Sequence, residues 1–253
     1  MQESALVQVL TFDFHNTLAN CDPWFDLEVR DLPWAVLQHL DLTSESADQA
    51  LVEQEYRALR LEVIASGNEI DAYESVARIF ATIGVDAEPA HITEAVDALM
   101  RDCLAHAQAV PGAVDTVRHL HRYGVRLGVV SSAVHHQTLN WILEQLDIAD
   151  CFEMVVTSAS SGYYKSTPAI YDHALVALDG DASVSVHVGD SLKWDIHTAQ
   201  RAGMATVWLN TPRREVFATP SNDTVPTLTL QTMENAGPLL IELLDRVREP
   251  LDV

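Results

Sequence analysis

Lysine is almost missing from this chain: Lys165 and Lys193 are its two lysines, and the other 13 of its 15 basic residues are arginines. Basic charge is scarce altogether, because 37 Asp and Glu outweigh those 15 residues and leave a formal net charge of −22. A surface of that sign repels polyanions and excludes nucleic acid as an expected partner. Acidity of this size also accompanies salty environments. The three cysteines, Cys21, Cys103 and Cys151, are odd in number and far apart. They therefore suggest neither a disulfide framework nor a CxxC-type metal site, and read as buried or idle thiols. No run approaches the ~18 uninterrupted apolar residues of a membrane span, so no membrane partner is expected. Met1-Gln2-Glu3-Ser4 lacks the basic start of a secretory signal, which places the chain in the cytoplasm as an expectation. Internal repeats and low-complexity tracts are also absent.

What is there suffices for a globular fold. The chain has 253 residues, 48% of them hydrophobic, enough for one large domain or a core with an inserted second domain. An apolar, β-branched run from Val7 to Phe12 reads as a strand that ends on Asp13, and the polar turn His15-Asn16-Thr17 follows at once. Asp22 then reads as an N-cap with Pro23 at the first helical position. Helix-period stretches follow at Ser44 to Ser66, Glu69 to Ile83 and Pro89 to His106, with Gly67 and Gly84 as stops. Nothing between residues 20 and 106 reads as a strand, so that region is expected to be an all-helical insert. From Pro111-Gly112 onward helix and strand alternate. Helices are expected at 113–123, 135–146, 168–178 and 195–202, with strands at 125–130, 153–156, 184–188 and 205–209. Residues 211–226 read as a loop, 227–230 as an edge strand and 234–247 as a closing helix. The alternation implies an α/β fold: a Rossmann-like parallel sheet with helices on both faces, plus the inserted helical cap. The expected core is discontinuous, residues 1–19 and 107–253, with the cap at 20–106. A hinge at residues 16–20 and 105–111 would swing the cap over Asp13.

Four segments converge at the expected strand ends: Asp13 with His15 and Thr17, then Ser131-Ser132, then Lys165, then Gly189-Asp190-Ser191 with Asp195. Asp13, Asp190 and Asp195 in one crevice need a cation or a shared proton. Hard oxygen ligands without a Cys or His cluster favour Mg²⁺. Lys165 adds a positive point charge, and Ser131, Ser132 and Thr17 offer hydroxyls to an anion. The set resembles the haloacid dehalogenase superfamily, most of whose members are phosphatases, and the resemblance covers nearly the whole chain, including the helical insert after the first motif. It implies an α/β hydrolase in which Asp13 attacks phosphorus to form an aspartyl-phosphate that water then hydrolyses. The implied phosphate ligands are Thr17, Ser131, Ser132 and Lys165. The implied metal set is Asp13, Asp190, Asp195 and, through its backbone carbonyl, His15.

His15 departs from that pattern, because the resembling phosphatases carry a second aspartate two residues after the nucleophile. An imidazole can also move protons near neutral pH, so His15 is a candidate acid/base beside Asp13 and Lys165, against a reading in which it only packs under the cap. Ser166-Thr167 replaces the usual Pro-Asp before Pro168. Lys193 reads as a solvent-exposed loop residue, and Trp24, Phe25, Tyr56, Arg57 and Arg60 as cap residues in which packing outweighs substrate contact. His135-His136 reads as the first turn of a helix rather than a metal site. The expected activity is Mg²⁺-dependent hydrolysis of a small phosphorylated metabolite. Two alternatives are a metal-independent 2-haloacid dehalogenase-type hydrolase, and a weakly catalytic metal-binding regulatory protein. Phosphonate-cleaving relatives use a cap lysine, and residues 20–106 contain none.

Overall fold

The computed structural model describes residues 6–43, 48–211 and 224–248. Among these, six strands form one parallel sheet. The first is β1 (Val9–Phe12), and a two-residue strand β2 (Ala19–Asn20) follows outside the sheet. Helix α1 (Asp22–Asp26) runs through a π-helical turn at Leu27–Asp31 into α2 (Leu32–His39). Next come α3 (Gln49–Ser66), α4 (Ala72–Ile83), α5 (Pro89–Asp102) and a 3₁₀ turn at Cys103–His106. The short β3 (Gln108–Ala109) closes this helical insert by pairing antiparallel with β2.

The chain then alternates: α6 (Ala113–Tyr123), β4 (Arg126–Ser131), α7 (His136–Gln145), β5 (Met154–Thr157), α8 (Ser158–Ser161), α9 (Ala169–Ala177) and β6 (Val186–Gly189). A π-helical turn at Leu192–His197 leads into α10 (Thr198–Arg201), β7 (Ala205–Leu209), β8 (Leu228–Leu230) and α11 (Ala236–Arg248). The sheet order is β5-β4-β1-β6-β7-β8. Chain direction along the sheet reverses at β1, and that switch point opens a crevice beyond its C-terminal end.

All four residues of β1 are buried, because both faces of the sheet are covered. Leu10 and Phe12 face one cluster, with Val117 and Leu120 of α6 and Leu240 of α11. Val9 faces the other, with Ile170 and Ala174 of α9. In the insert, α4 buries Val76, Ile79 and Phe80 at helical spacing, each contributing about 1.5–3 kcal/mol.

The sequence placed several boundaries differently. Asp48 caps α3 by accepting from the Ala50 N–H, so that helix starts at Gln49, and residues 44–47 lie outside the described ones. Asp71, not the segment at Glu69, starts α4, because its carboxylate accepts from the Glu74 N–H. Cys21 rather than Asp22 is the N-cap of α1, with no side-chain capping bond. Asp195 lies inside a π-helical turn instead of opening a helix. The strand pair β2–β3 and the bridge between Asn68 and Tyr163 have no counterpart in the sequence pattern, since two-residue strands carry no alternation to read. Of the expected loop 211–226, residues 212–223 lie outside the described ones.

Candidate active site

Register builds the crevice. Phe12 pairs with Val129 on one side and Val188 on the other, so Ser131 and Asp190 emerge at the strand ends just beyond Asp13. The Asp13 N–H continues the ladder to Val188 O at 2.8 Å. Asn16 then takes a left-handed conformation, φ 64°, and turns the chain back, with its N–H on Ala19 O. This turn brings Thr17 Oγ1 to Asp13 Oδ2 at 3.2 Å.

Lys165 arrives from the loop between α8 and α9, and its ammonium lies 2.6 Å from both Asp13 Oδ1 and Asp195 Oδ1. It is 2% exposed, so the ion pair cannot relax into water. Asp195 also accepts from the Ser191 N–H at 2.9 Å. Gly189 makes room for it, because a Cβ there would stand 2.3 Å from Asp195 Cγ.

Carboxylate oxygens of Asp13, Asp190 and Asp195 lie within 4.8 Å of one another. Burial and the Asp195 charge push the Asp13 carboxyl up to about 6 despite Lys165. Burial and the charges of Asp13 and Asp195 push Asp190 well above the carboxylate range, against a hydrogen bond from Asn16. Burial opposes the charge of Asp195 too, but the Lys165 ammonium overrides it and holds this carboxyl low. Ionised together, three carboxylates facing one ammonium would leave two uncompensated negative charges, which is why Asp13 and Asp190 are pushed up here and why the set fits a divalent cation bound through hard oxygens. Beneath the cluster His187 is fully buried and held neutral, pushed down to about 4 by burial. Its Nδ1 is 2.8 Å from Thr11 Oγ1. Sequence reasoning missed His187 and Asn16; a histidine inside a wholly buried strand was the available signal for the first.

The remaining expected residues fall as follows. Ser131 is buried at the end of β4, and Ser132 is half-buried against the Tyr164 phenol. The His15 ring does not join the acidic cluster: it stacks on Phe25 with centroids 4.7 Å apart and planes 4° apart, and meets Trp24 edge-on at 5.6 Å. The Lys193 ammonium lies 4.0 Å from the centre of the Trp194 ring, outside the cluster. Tyr56 is buried, and Arg60 is bound to Glu69. His135 contacts Tyr73, Asp97 and Thr138, and His136 contacts Thr157, so neither histidine faces the crevice acids. All three cysteines are free thiols. No described helix is long and apolar enough to cross a membrane.

A family model described as haloacid dehalogenase-like hydrolase matches residues 7–203. A glyceraldehyde 3-phosphate phosphatase of Pyrococcus abyssi is 29% identical over 206 residues, covering 80% of this chain and 81% of the relative. A protein of the same name from Methanopyrus kandleri is 32% identical over 167 residues, 66% and 68% of the two chains. The crystal structure of a 2-haloacid dehalogenase from Pseudomonas syringae superposes with a TM-score of 0.66 at 23% identity, covering 95% of this chain and 99% of that one. That likeness shows the fold.

Proposed function

The chain belongs to the haloacid dehalogenase-like hydrolases, and within that family we propose that it is a Mg²⁺-dependent phosphomonoesterase of small, sugar-phosphate-class metabolites, acting in the cytoplasm. The observation that carries this reading is the buried trio Asp13, Asp190 and Asp195 around one lysine, which is short of positive charge by the amount a divalent cation brings. A metal-free dehalogenase has no use for that surplus. The two relatives named as glyceraldehyde 3-phosphate phosphatases support the substrate class.

In this reading Asp13, Asp190 and Asp195, with the carbonyl of His15, hold Mg²⁺. When bound, the cation offsets the charge of nucleophile and phosphate. Asp13 is the nucleophile: a carboxylate oxygen bonds to phosphorus, the ester oxygen leaves, and water later cleaves the aspartyl-phosphate at phosphorus. Lys165, fixed by Asp195, keeps Asp13 ionised and faces the incoming phosphate. Thr17, Ser131 and Ser132 hold phosphoryl oxygens with nearby backbone N–H groups. His15 is the candidate for giving a proton to the leaving oxygen. Residues 20–106 act as a cap hinged at β2–β3, with residues 1–19 and 107–253 as the catalytic core, and closure excludes water from the phosphoryl group.

The stacking of His15 on Phe25 favours a second reading, a weakly catalytic relative, since a ring held by the insert is a ring turned to packing. A screen of phosphorylated metabolites with and without Mg²⁺ decides. Sugar-phosphate turnover that depends on Mg²⁺ is the expected result. Turnover untouched by EDTA, or release of halide from a 2-haloacid under EDTA, would overturn the proposal.

A further inference from the structure

A glutamate occupies the apolar face of the first helical run of the insert. Trp24, Glu28, Leu32 and Val36 recur every four residues and are all buried, Glu28 at 7% exposure. The π-helical turn Leu27–Asp31 carries it, and the Tyr56 hydroxyl donates to the Glu28 backbone carbonyl at 2.8 Å, fixing that turn. Local π turns of this kind recur at functional positions. The Glu28 side chain leaves the insert and accepts from the backbone N–H of Val134 at 2.9 Å, and the neighbouring His135 N–H adds a weaker favourable field at the carboxyl. These two groups lie just before α7 and three to four residues past Ser131. The Val134 carbonyl is taken by the insert as well, accepting from the Ala72 N–H at 2.9 Å. Both backbone groups of Val134 therefore bond to the insert and neither to the sheet.

We infer that Glu28 is a positioning residue for the phosphate-binding turn: seated with the insert, its carboxyl group clasps the backbone N–H of Val134 behind Ser131-Ser132, so the turn takes its working shape only when the insert is closed. This rests on the assignment of Ser131 and Ser132 to phosphate. A buried N–H without a partner is costly, so the open form must give this group to water and let the turn relax. The groups around the carboxyl are Tyr56, Arg60, Glu69, Cys21 and Cys103 from the insert, and His135 and Tyr164 from the core. Two acids thus face one guanidinium, and Glu69 already takes both terminal nitrogens of Arg60, Nη1 and Nη2, at 2.6 and 3.1 Å. Burial pushes the Glu28 carboxyl up to about 8. Because the folded value is raised from an ordinary 4.5, the carboxyl's contribution to closure is complete below that value, falls as pH rises from there, and is gone once pH passes about 8.

The test reads amide hydrogen exchange at Val134, and calorimetric binding of inorganic phosphate with Mg²⁺, neither of which needs turnover. Glu28→Leu, and the gentler Glu28→Asp, which is one methylene too short, should speed exchange at the Val134 amide and weaken phosphate by ~10-fold or more. Glu28→Gln keeps the acceptor and cannot ionise, so it should bind phosphate at least as tightly as wild type at neutral pH and lose the weakening toward alkaline pH that wild type shows between about 5 and 8. Folded Leu or Asp variants with wild-type exchange, or with faster exchange but unchanged phosphate affinity, overturn the inference. So does a Gln variant that keeps the wild-type alkaline weakening. Wild-type protein that binds no phosphate sinks the phosphatase reading and this inference with it.

Discussion

Two buried charge clusters in this molecule are built on opposite terms. In the insert, Arg60 and Glu69 form a two-point pair whose side chains are 9% and 1% exposed, and Arg60 also reaches the Ile70 carbonyl. With the nearby Glu28 pushed up to about 8 by burial, charge and hydrogen bonds balance there at neutral pH, as they must when ions leave water for structural ends. In the crevice, Lys165 faces Asp13 and Asp195, and Asp190 adds a third acid with no cation of its own. That imbalance destabilises the fold, and it persists where a ligand can relieve it. The same chemistry, carboxylate against cation, thus marks a joint in one region and the proposed reaction site in the other.

The contrast can be broken by mutation. Asp13→Asn should abolish phosphate release, a loss of several orders of magnitude, while circular dichroism and melting temperature stay at or above wild type because one crowded acid is gone. Residual turnover near wild type would end the covalent mechanism. Chelation comes next: EDTA should abolish turnover, and added Mg²⁺ should stabilise the wild-type fold by about 2.7 kcal/mol at a hundredfold excess over its Kd. Asp190→Asn should erase most of that increment in a thermal melt, and an undiminished increment would place the cation elsewhere.

His15 sharpens the comparison, since it belongs to the crevice by sequence and to the insert by contact. If its ring protonates the leaving oxygen, His15→Ala should slow alkyl phosphates by ~10² to 10⁴-fold and aryl phosphates far less. Equal slowing of both assigns the ring to packing against Phe25. In the insert, Arg60→Met strands Glu69 and should cost about 3–5 kcal/mol in urea unfolding. The double variant Arg60→Met/Glu69→Leu should recover much of the loss, and failure to recover would mean that Arg60 acts mainly through its other contacts. The smallest effect concerns the surface: with a net charge of −22, the melting temperature should rise with KCl as self-repulsion is screened.

Much of this was legible because local rules and global fold agree. The strand ending on Asp13 and the alternation after Pro111 announce a parallel sheet, and Gly67 and Gly84 stop helices as left-handed caps. Gly67 also shows a limit. Its φ of 74° suits a helix end, yet a Cβ there would stand 2.1 Å from Thr167 Cγ2, a contact across the seam between insert and core that no local pattern encodes. Tyr56 reads as a cap aromatic turned to packing and no sequence signal marks Glu28, so only the folded chain shows Glu28 clasping Val134 and the Tyr56 hydroxyl holding the Glu28 carbonyl.

Sequence alone determined the parallel sheet, the helical insert after the first motif, and the candidate set Asp13, Ser131, Lys165, Asp190 and Asp195. Strand ends, periodicity and residue chemistry are properties of short stretches, so they can be read along the chain. The tertiary structure decided which of these groups pair and which way each side chain faces. It set the Lys165 ammonium between two carboxylates, turned the His15 ring onto Phe25, and buried Glu28 against the core. Those outcomes depend on contacts between residues up to 152 positions apart, which packing and desolvation select and no local signal carries.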